Sequence, residues 1–257
     1  MPPQKTSRVL KTLDRILSKA GRGSRTEARR WIHAGRVRVN GRVVTDPEHW
    51  LDPKRDRVAL DGSPLKAARK EYLLLYKPKG YLTTYRDPKG RKTVYDLLDG
   101  RGRYLFPAGR LDLDSSGLLV MTNDSALAER LTHPDHEVRK TYLVKASVRL
   151  DDGQLDALRG GVTLKDGPTR PARVTPLRET GGRTVFEITL TEGRNRQVRR
   201  MVEAVGATVL KLVRVAIGPI RIGNLAIGAS RPLTPSELRA LGQKPTDTPT
   251  WKRHGLS

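Results

Sequence analysis

The stretch "GRLDLDSSGLLVMTND", residues 109–124, joins an acidic, turn-forming segment directly to a run of apolar residues. Its middle, "DSSG" at 114–117, consists of residues that favour turns, and the run that follows has the composition of a buried strand. We therefore expect a strand that ends at Asp112, then a tight turn and a second strand. An acid would be fixed at a strand edge, although acidic side chains in such turns often only cap backbone amides.

Further apolar runs on both sides of this stretch predict a sheet. The runs are "YLLLYKPKG", "KTYLVKASV", "TVFEITL" and "TVLKLVRVAIGPI", and helical spacing is found in "SALAERLT" and "RQVRRMVEAVG". Because helices are interspersed among strands with hairpin-like spacing, we expect an α+β fold. Its sheet would be mixed or antiparallel with helices packed alongside it, rather than doubly wound and parallel.

Residues 8–65 have the pattern of two short helices followed by a β-hairpin. Apolar side chains recur at helical spacing over 13–20, and Ser24 with Glu27 forms a capping box at the start of a second helix. In "RVRVNGRVV", residues 36–44, Val and Arg alternate around Asn-Gly, which is the strongest short-range hairpin signal. A small helix-helix-hairpin domain is therefore predicted.

A polar segment, "SPLKAARK" at 63–70, follows this pattern and is typical of a linker. Both ends of the chain are polar and rich in Pro or Thr, so we expect them to be disordered. The predicted layout is a small domain at 8–65, a larger domain at 71–241, and disordered tails at 1–7 and 242–257.

The chain carries 50 Lys and Arg against 27 Asp and Glu, a formal net charge of +23. Such a surface repels itself unless a polyanion neutralises it, so a nucleic acid is the expected partner. No run approaches the ~20 apolar residues of a spanning helix, and we expect no membrane association. Since the sequence has no Cys and starts without an apolar signal segment, the cytoplasm is the expected location. The five His lack metal-ligand spacing, so no metal is expected.

Basic side chains off the predicted core faces of the small domain would form a surface for phosphates. They are Arg25, Arg29, Arg30, Arg36 and Arg38. A solvated helix face would explain the same charges, and a DNA-reading helix-turn-helix would explain the two helices, but the hairpin after them favours an RNA module. The pattern resembles the S4-type RNA-binding domain over about residues 8–61, which implies that this domain grips folded RNA.

The motifs of the larger domain resemble, in type and order, those of the RsuA/RluB-type family of ribosomal RNA pseudouridine synthases. Residues 109–124 look like the family's catalytic motif, "RKTYLV" at 139–144 like its tyrosine motif, and "EGRNRQVRRM" at 192–201 like its arginine motif. The flanking "KPKGYLTT" and "IGPIRIGNLAIGASRPLTPSEL" also match, so the resemblance spans about residues 8–241. It implies an isomerase that converts uridine in RNA to pseudouridine without a cofactor.

The resemblance also implies roles for individual residues. Asp112, and not Asp114, would be the catalytic aspartate, Tyr142 would lie beside the target base, and Arg199 would pair with the aspartate. Leu212 would be the apolar residue packed beneath them. Further RNA contacts are expected from Arg110, Arg194, Arg196 and Arg200. These residue types suit the reaction, because a carboxylate can attack the ribose or remove its proton, and an aromatic ring can stack on a base that has left its helix.

Ribosomal RNA is the substrate that the resemblance implies, free or in a pre-ribosomal particle. The segment "DPKGR" at 87–91 and the basic small domain look closer to the large-subunit (23S) enzymes than to the small-subunit (16S) ones. A transfer-RNA enzyme of the same chemistry and a non-catalytic ribosome-assembly factor on the same fold are the alternatives. Nothing in the sequence demands more than a monomer.

Overall fold

The computed structural model describes residues 10–66, 69–98 and 104–242, and they divide into two compact units. The first comprises the described residues of Met1–Lys70, Gly100–Phe106 and Asn123–Ser125, and the second those of Glu71–Asp99, Pro107–Thr122 and Ala126–Ser257. The predicted disordered tails lie outside the described residues except for Gly242, whose N–H closes a turn on the carbonyl of Arg239 at 2.7 Å. The predicted domain limits stay predictions.

The first unit pairs two short helices with short strands. Its described elements are β1 (Lys11–Thr12), α1 (Leu13–Lys19), α2 (Arg25–His33), β2 (Val37–Val39), β3 (Arg42–Val43), β4 (Trp50–Leu51), β5 (Val58–Leu60) and β6 (Ser63–Pro64). Strands β3-β2-β5-β6 form one sheet in that order, and β1 pairs with β4. The core between them is aliphatic and includes Leu13, Leu17, Ile32 and Val37, all fully buried.

Local sequence signals account for this unit. The Ser24 hydroxyl accepts a hydrogen bond from the Glu27 backbone N–H at 3.2 Å, while the Glu27 carboxylate accepts one from the Ser24 N–H at 2.9 Å. Asn40 and Gly41 both have positive φ, at 50° and 85°, as the tight hairpin turn between β2 and β3 requires. The predicted helix-helix-hairpin pattern is confirmed.

A buried carboxylate, which the sequence did not reveal, ties the two helices together. Asp14 is fully buried and accepts hydrogen bonds from Thr12 at 2.6 Å, from Arg25 at 2.8 Å and from Arg29 at 2.9 Å. Burial alone would raise the pKa of Asp14, but these three donors outweigh it and lower the pKa to about 2. Asp14 is therefore ionised inside the unit, and two arginines expected at the RNA surface are partly engaged by it.

The second unit is built on one large sheet. Its strands and helices are β7 (Tyr72–Lys77), β8 (Phe106–Pro107), β9 (Ser116–Thr122), α3 (Ser125–Thr132), β10 (Lys140–Ala146), α4 (Asp152–Gly160), β11 (Thr163–Leu164), β12 (Gly167–Pro168), β13 (Arg173–Glu179), β14 (Thr184–Leu190), α5 (Gln197–Ala204), β15 (Val209–Ile217), β16 (Ile220–Arg221), β17 (Ser230–Pro232) and α6 (Pro235–Ala240). The first residues of β8 and α3 are assigned to the first unit.

The large sheet has the strand order β13-β14-β10-β15-β9-β7-β17, with β8 beside β9 and β16 beside β15. Strands β9 and β15 run parallel, and the other described neighbours along this order run antiparallel. Buried apolar clusters lie against the sheet and the helices, one including α4 and α5 and the other α3 and α6. The predicted α+β class with a mixed sheet is confirmed. No described helix has the length and apolar character needed to cross a membrane.

A glycine permits the parallel pairing that joins the two halves of this sheet. Gly117 begins the buried part of β9, opposite Arg214 of β15, with φ at +116°. A Cβ atom at this position would lie 2.3 Å from the Arg214 carbonyl oxygen. Only glycine allows so close an approach, which brings the segment before β9 against β15.

Candidate active site

The acidic segment before β9 is an irregular loop, residues 108–115, and not the strand that the sequence predicted. Strand β8 ends at Pro107, five residues before Asp112. Side chains from elsewhere in the unit supply several of the loop's main-chain hydrogen bonds. The Thr83 hydroxyl donates to the Leu111 carbonyl at 2.8 Å and accepts from the Leu111 N–H at 3.3 Å. The loop is therefore fixed by tertiary contacts.

A fully buried lysine secures the same loop, and the sequence analysis did not single it out as a site residue. Lys77, the last residue of β7, is 0% exposed. Its Nζ donates to the carbonyl oxygens of Ser115 at 2.7 Å, Asp112 at 2.9 Å and Pro78 at 3.1 Å. Burial lowers the pKa of Lys77 to about 8. A lysine at the end of an apolar run was the available signal.

A cavity of about 400 Å³ opens beside the loop and brings together three of the four residues predicted to form the site. Asp112 lines it from the loop, Tyr142 from β10 and Leu212 from β15. Leu212 is buried, at 6% exposed, while Tyr142 is half-buried. Arg199 does not appear among the described lining residues, whereas Arg196 does.

Two arginines hold the acidic loop, and Arg199, which was expected to pair with Asp112, instead pairs with Asp114. Arg199 places Nε 3.2 Å from a carboxylate oxygen of Asp114 and donates from Nη2 to the Asp114 carbonyl at 3.0 Å. Arg196 binds both carboxylate oxygens of Asp114 at 3.1 Å, and its Nη1 comes to 4.0 Å from Asp112. Arg196, and not Arg199, is therefore the guanidinium nearer to Asp112.

The carboxylates of Asp112 and Asp114 differ in the hydrogen bonds and ion pairs that they form. Burial would raise the pKa of Asp114, but the hydrogen bonds from Arg196 and the charges of Arg199 and Arg196 lower it overall. The carboxylate of Asp112 accepts no hydrogen bond from any residue that the structure describes, and its side chain is 35% exposed. Asp114 is thus a structural anchor, while Asp112 presents free oxygens to the cavity.

The basic residues of the first unit that were predicted to contact RNA differ in the contacts that they make within the protein. Arg25 and Arg29 bind Asp14, and Arg36 forms two hydrogen bonds to Asp61, the shorter at 2.7 Å. Arg38 donates to the Gly41 carbonyl at 3.0 Å. Arg30 is exposed, and its side chain contacts no acid or carbonyl among the described residues. Of this group, Arg30 is the most available for a phosphate.

In the second unit, two of the predicted RNA contacts hold a hairpin instead. Arg194 donates to the carbonyl oxygens of Gly167 and Pro168, and Arg200 makes two hydrogen bonds to Asp166, at 2.7 and 3.2 Å. Arg194 nevertheless lines the cavity. Arg110 also lines the cavity and is exposed, so it remains available to a ligand.

Two buried basic residues of the cavity, Lys140 and Arg214, were not singled out from the sequence, because both lie within apolar strand runs. Among the described residues, no group of three or more His, Asp or Glu side chains is arranged to hold a metal ion. The site therefore offers a carboxylate, a phenol and several cationic donors. Such a set can bind an anionic substrate and perform proton transfer or nucleophilic attack.

Comparison with known proteins agrees with this chemistry. The family model described as RNA pseudouridylate synthase matches residues 71–204, and the S4 domain model matches residues 11–58. Among similar chains is an uncharacterised RNA pseudouridine synthase of Aquifex aeolicus, 41% identical over 89% of this chain and 92% of its own length. The ribosomal large subunit pseudouridine synthase B of Bacillus subtilis is 38% identical over 90% of this chain and 96% of its own.

A solved structure has the same fold over most of the chain. The crystal structure of a pseudouridylate synthase superposes with a TM-score of 0.66 at 31% sequence identity, covering 90% of this chain and 99% of the other. The ribosomal large subunit pseudouridine synthase B of Yersinia pestis is 41% identical over 82% of this chain and 68% of its own length. The fold is thus shared with the solved pseudouridylate synthase over most of both chains.

Proposed function

Since the chain belongs to the RNA pseudouridylate synthase family and isomerises uridine in RNA to pseudouridine, we propose that its substrate is large-subunit (23S) ribosomal RNA and that Asp112 is its catalytic residue. One observation carries the assignment of Asp112. Its main chain is held by Lys77, while its carboxylate lines the cavity and accepts no hydrogen bond from a described residue. A fixed backbone with a free reactive group is what preorganised catalysis requires.

The alternative acid in the loop is Asp114, which is unsuited to the chemistry. Arg196 and Arg199 occupy its carboxylate and its carbonyl. Reaction at Asp114 would have to break these contacts, which also hold the loop. Arg196, with Nη1 4.0 Å from Asp112, places a positive charge beside that carboxylate without a hydrogen bond to its oxygens.

The reaction is an isomerisation in which the bond between N1 and ribose C1′ breaks and a bond between C5 and C1′ forms. The proton lost from C5 balances the one gained at N1, so no oxidant, reductant or added group is needed. Asp112 can serve as a nucleophile at C1′ or as a base toward the ribose, and either role needs it ionised. The aspartate must therefore meet the sugar and not the base edge.

Tyr142 has the position and chemistry to hold the extruded base. It projects from β10 into the cavity that Asp112 also lines. Taking a base out of its stack costs a few kcal/mol, which stacking on an aromatic ring recovers in part. Its hydroxyl can also take part in proton transfer at C5.

The substrate assignment rests on relatives and on the first unit. The relatives from Bacillus subtilis and Yersinia pestis carry the name ribosomal large subunit pseudouridine synthase B, and an S4 domain precedes the catalytic family match here. With a net charge of +23, the protein suits a long polyanion. We further propose that it acts in the cytoplasm as a monomer, on ribosomal RNA or its pre-ribosomal particles. A sedimentation mass near 28.7 kDa would agree with a monomer, and twice that mass would refute it.

Pseudouridine mapping across total RNA tests the function. Cells without the gene should lack one or more 23S pseudouridines, and the parent gene should restore them. Asp112→Asn should bind RNA normally but restore none, while the exposed control Asp152→Asn should restore all. Losses confined to 16S or transfer RNA would contradict the 23S assignment. Full modification by Asp112→Asn would contradict the catalytic role, and no loss at any position would favour an assembly factor.

A further inference from the structure

Two mostly buried cationic side chains lie side by side on the sheet face that floors the cavity. Lys140 is 8% exposed and Arg214 is 5% exposed, and both line the cavity. Lys140 and Tyr142 are alternate residues of β10, so their side chains point to the same face, and Arg214 is the register partner of Tyr142 on β15. These cations therefore adjoin the proposed base-stacking ring.

Their hydrogen bonds within the protein are incomplete. Arg214 donates from Nε to the Leu118 carbonyl at 2.8 Å and from Nη1 to the Arg110 carbonyl at 3.3 Å, but its buried Nη2 has no hydrogen-bond partner. The ammonium of Lys140 has neither a hydrogen bond nor an ion pair with any described residue. Buried donors are nearly always satisfied in folded proteins, so the unpaired Nη2 of Arg214 beside the cavity indicates a missing acceptor.

The positive charges of Lys140 and Arg214 are also not balanced by the acidic side chains that line the cavity. Burial, and then the neighbouring charge of Arg214, lowers the pKa of Lys140. Of the described residues lining the cavity, five are basic and two acidic. One of the acids, Glu192, already accepts hydrogen bonds from Arg194 at 3.3 Å and from the Arg170 N–H at 3.0 Å. Arg194 pairs with Glu192, and Arg196 pairs with Asp114. The basic residues left in the described lining, Arg110, Lys140 and Arg214, outnumber the one acid left, Asp112.

The missing acceptor should itself be an anion. A neutral carbonyl oxygen of uracil could accept one of the free hydrogen bonds but would not offset two buried positive charges. A phosphate offers several oxygens and at least one negative charge, and it matches both an ammonium and a guanidinium nitrogen. The polyanion that the first unit is suited to grip supplies such a group next to every nucleoside.

We propose that Lys140 and the Nη2 group of Arg214 bind a phosphate of the target nucleotide inside the cavity. This inference rests on the proposed function and assigns two further substrate-binding residues to it. When the bond from N1 to C1′ is broken, the base is free to turn, and only the backbone still connects the ribose to the RNA. A phosphate held at Lys140 would keep C1′ beside Asp112 during that turn.

The test measures, by nuclear magnetic resonance titration, how tightly the full chain binds three probes. They are uridine 5′-monophosphate, uridine 3′-monophosphate and uridine. Wild type should bind one of the monophosphates more tightly than uridine. Lys140→Met should lower the affinity for that monophosphate about tenfold or more, because a charge-assisted hydrogen bond is lost, and leave uridine binding unchanged. Lys140→Arg should keep most of the preference.

Lys145→Met is the matched control, since Lys145 lies on the same strand but points to the other face of the sheet. It should bind all three probes as wild type does. Equal binding of the three probes by wild type, or an equal loss for monophosphate and uridine in Lys140→Met, would overturn the proposal. Should Lys140→Met fail to fold, Lys140→Gln makes the same comparison with a neutral polar side chain.

Kinetics on ribosomal RNA give a second readout. If the phosphate contact is equally strong before and during reaction, its loss in Lys140→Met should raise KM and leave kcat unchanged. The same loss should reduce the salt slope of RNA binding by about 0.7 to 0.9. A fall in kcat with KM unchanged would contradict a binding role. Failure of wild type to form pseudouridine in any RNA would refute the proposed function, while the probe titration would still decide whether Lys140 binds a phosphate.

Discussion

The Nζ atom of Lys77 lies 2.9 Å from the carbonyl oxygen of Asp112, so a buried ammonium on β7 fixes the main chain that carries the reactive carboxylate. The same ammonium bonds to Ser115, three residues further along the loop. Both ends of the turn are therefore held from one point. The position of Asp112 depends on a residue that is not among the described residues lining the cavity.

Replacing Lys77 by Met should reduce both activity and stability. It leaves the carbonyls of Asp112 and Ser115 without their donor in a buried site, which should cost about 3 kcal/mol of unfolding free energy. A shift of the carboxylate by about 1 Å should lower kcat about a hundredfold. Denaturant unfolding and single-turnover kinetics measure these effects. The exposed neighbour Lys79 is the control, and equal effects of Lys79→Met would contradict this explanation.

Arg196 and Arg199 should respond differently to substitution. Arg199 is buried and serves the carbonyls of Asp114 and Val209, so Arg199→Met should lower the unfolding free energy by about 2 kcal/mol. Arg196 has a side chain that is 44% exposed and a guanidinium near Asp112, so Arg196→Met should lower kcat about tenfold with little loss of stability. Thermal melting and kcat distinguish the two, and identical profiles would refute the division of roles.

Asp14 should make the unfolding free energy of the first unit depend on pH in the acidic range. Its pKa in the folded protein, about 2, lies below the ordinary value of 3.8, so the folded state binds fewer protons at acid pH. The resulting stabilisation, about 2 kcal/mol, is present above pH 4 and lost as the pH falls toward 2. Asp14→Asn should lack this component. The check is the unfolding free energy of both proteins from pH 2 to 6, where parallel curves would show that Asp14 contributes nothing.

Gly117→Ala should disrupt the sheet below the site. The added Cβ would meet the backbone of Arg214 at 2.3 Å, and φ at +116° is strained for any other residue. We expect a loss of about 3 kcal/mol or more in unfolding free energy. Gly160→Ala, with no atom within 4 Å of its new Cβ and a helical position, should be neutral or slightly stabilising. Similar melting temperatures for the two variants would contradict the close-approach argument.

Arg30 should contribute to RNA affinity through charge alone. Its exposed side chain has no acid or carbonyl partner among the described residues, unlike that of Arg29. Arg30→Gln should weaken RNA binding and reduce the salt slope by about 0.9, without a change in melting temperature. Arg29→Gln should instead lower the melting temperature, because it removes a partner of Asp14. Filter binding at several salt concentrations measures the slope, and an unchanged slope for Arg30→Gln would place the RNA elsewhere.

Elements encoded by neighbouring residues could be predicted from the sequence. The capping box at Ser24 and the turn at Asn40 depend on contacts within a few positions, and both formed as expected. Asp112, Tyr142 and Leu212 also meet at one cavity, because the motifs that identified them occupy fixed places in a shared fold. Their chemical roles stay predictions until the variants are measured.

Features that depend on distant contacts could not be predicted in this way. Asp112 lies in a loop because Thr83 and Lys77, far back in the chain, satisfy the main chain there. Whether Arg196 or Arg199 approaches Asp112 depends on how the start of α5 is oriented, which residue spacing does not determine. Hydrophobic patterning predicts the burial of a strand, but does not show that a lysine within it is buried too.

The parallel pairing of β9 with β15 has a consequence for biosynthesis. The guanidinium of Arg214 reaches the carbonyl of Leu118 across a sequence separation of 96 residues, and β15 completes the cavity floor. While the protein is being translated, the acidic loop leaves the exit tunnel long before its opposing wall has been made. Nascent chains therefore contain the S4 module before the cavity is complete, because the cavity also requires β15 (Val209–Ile217).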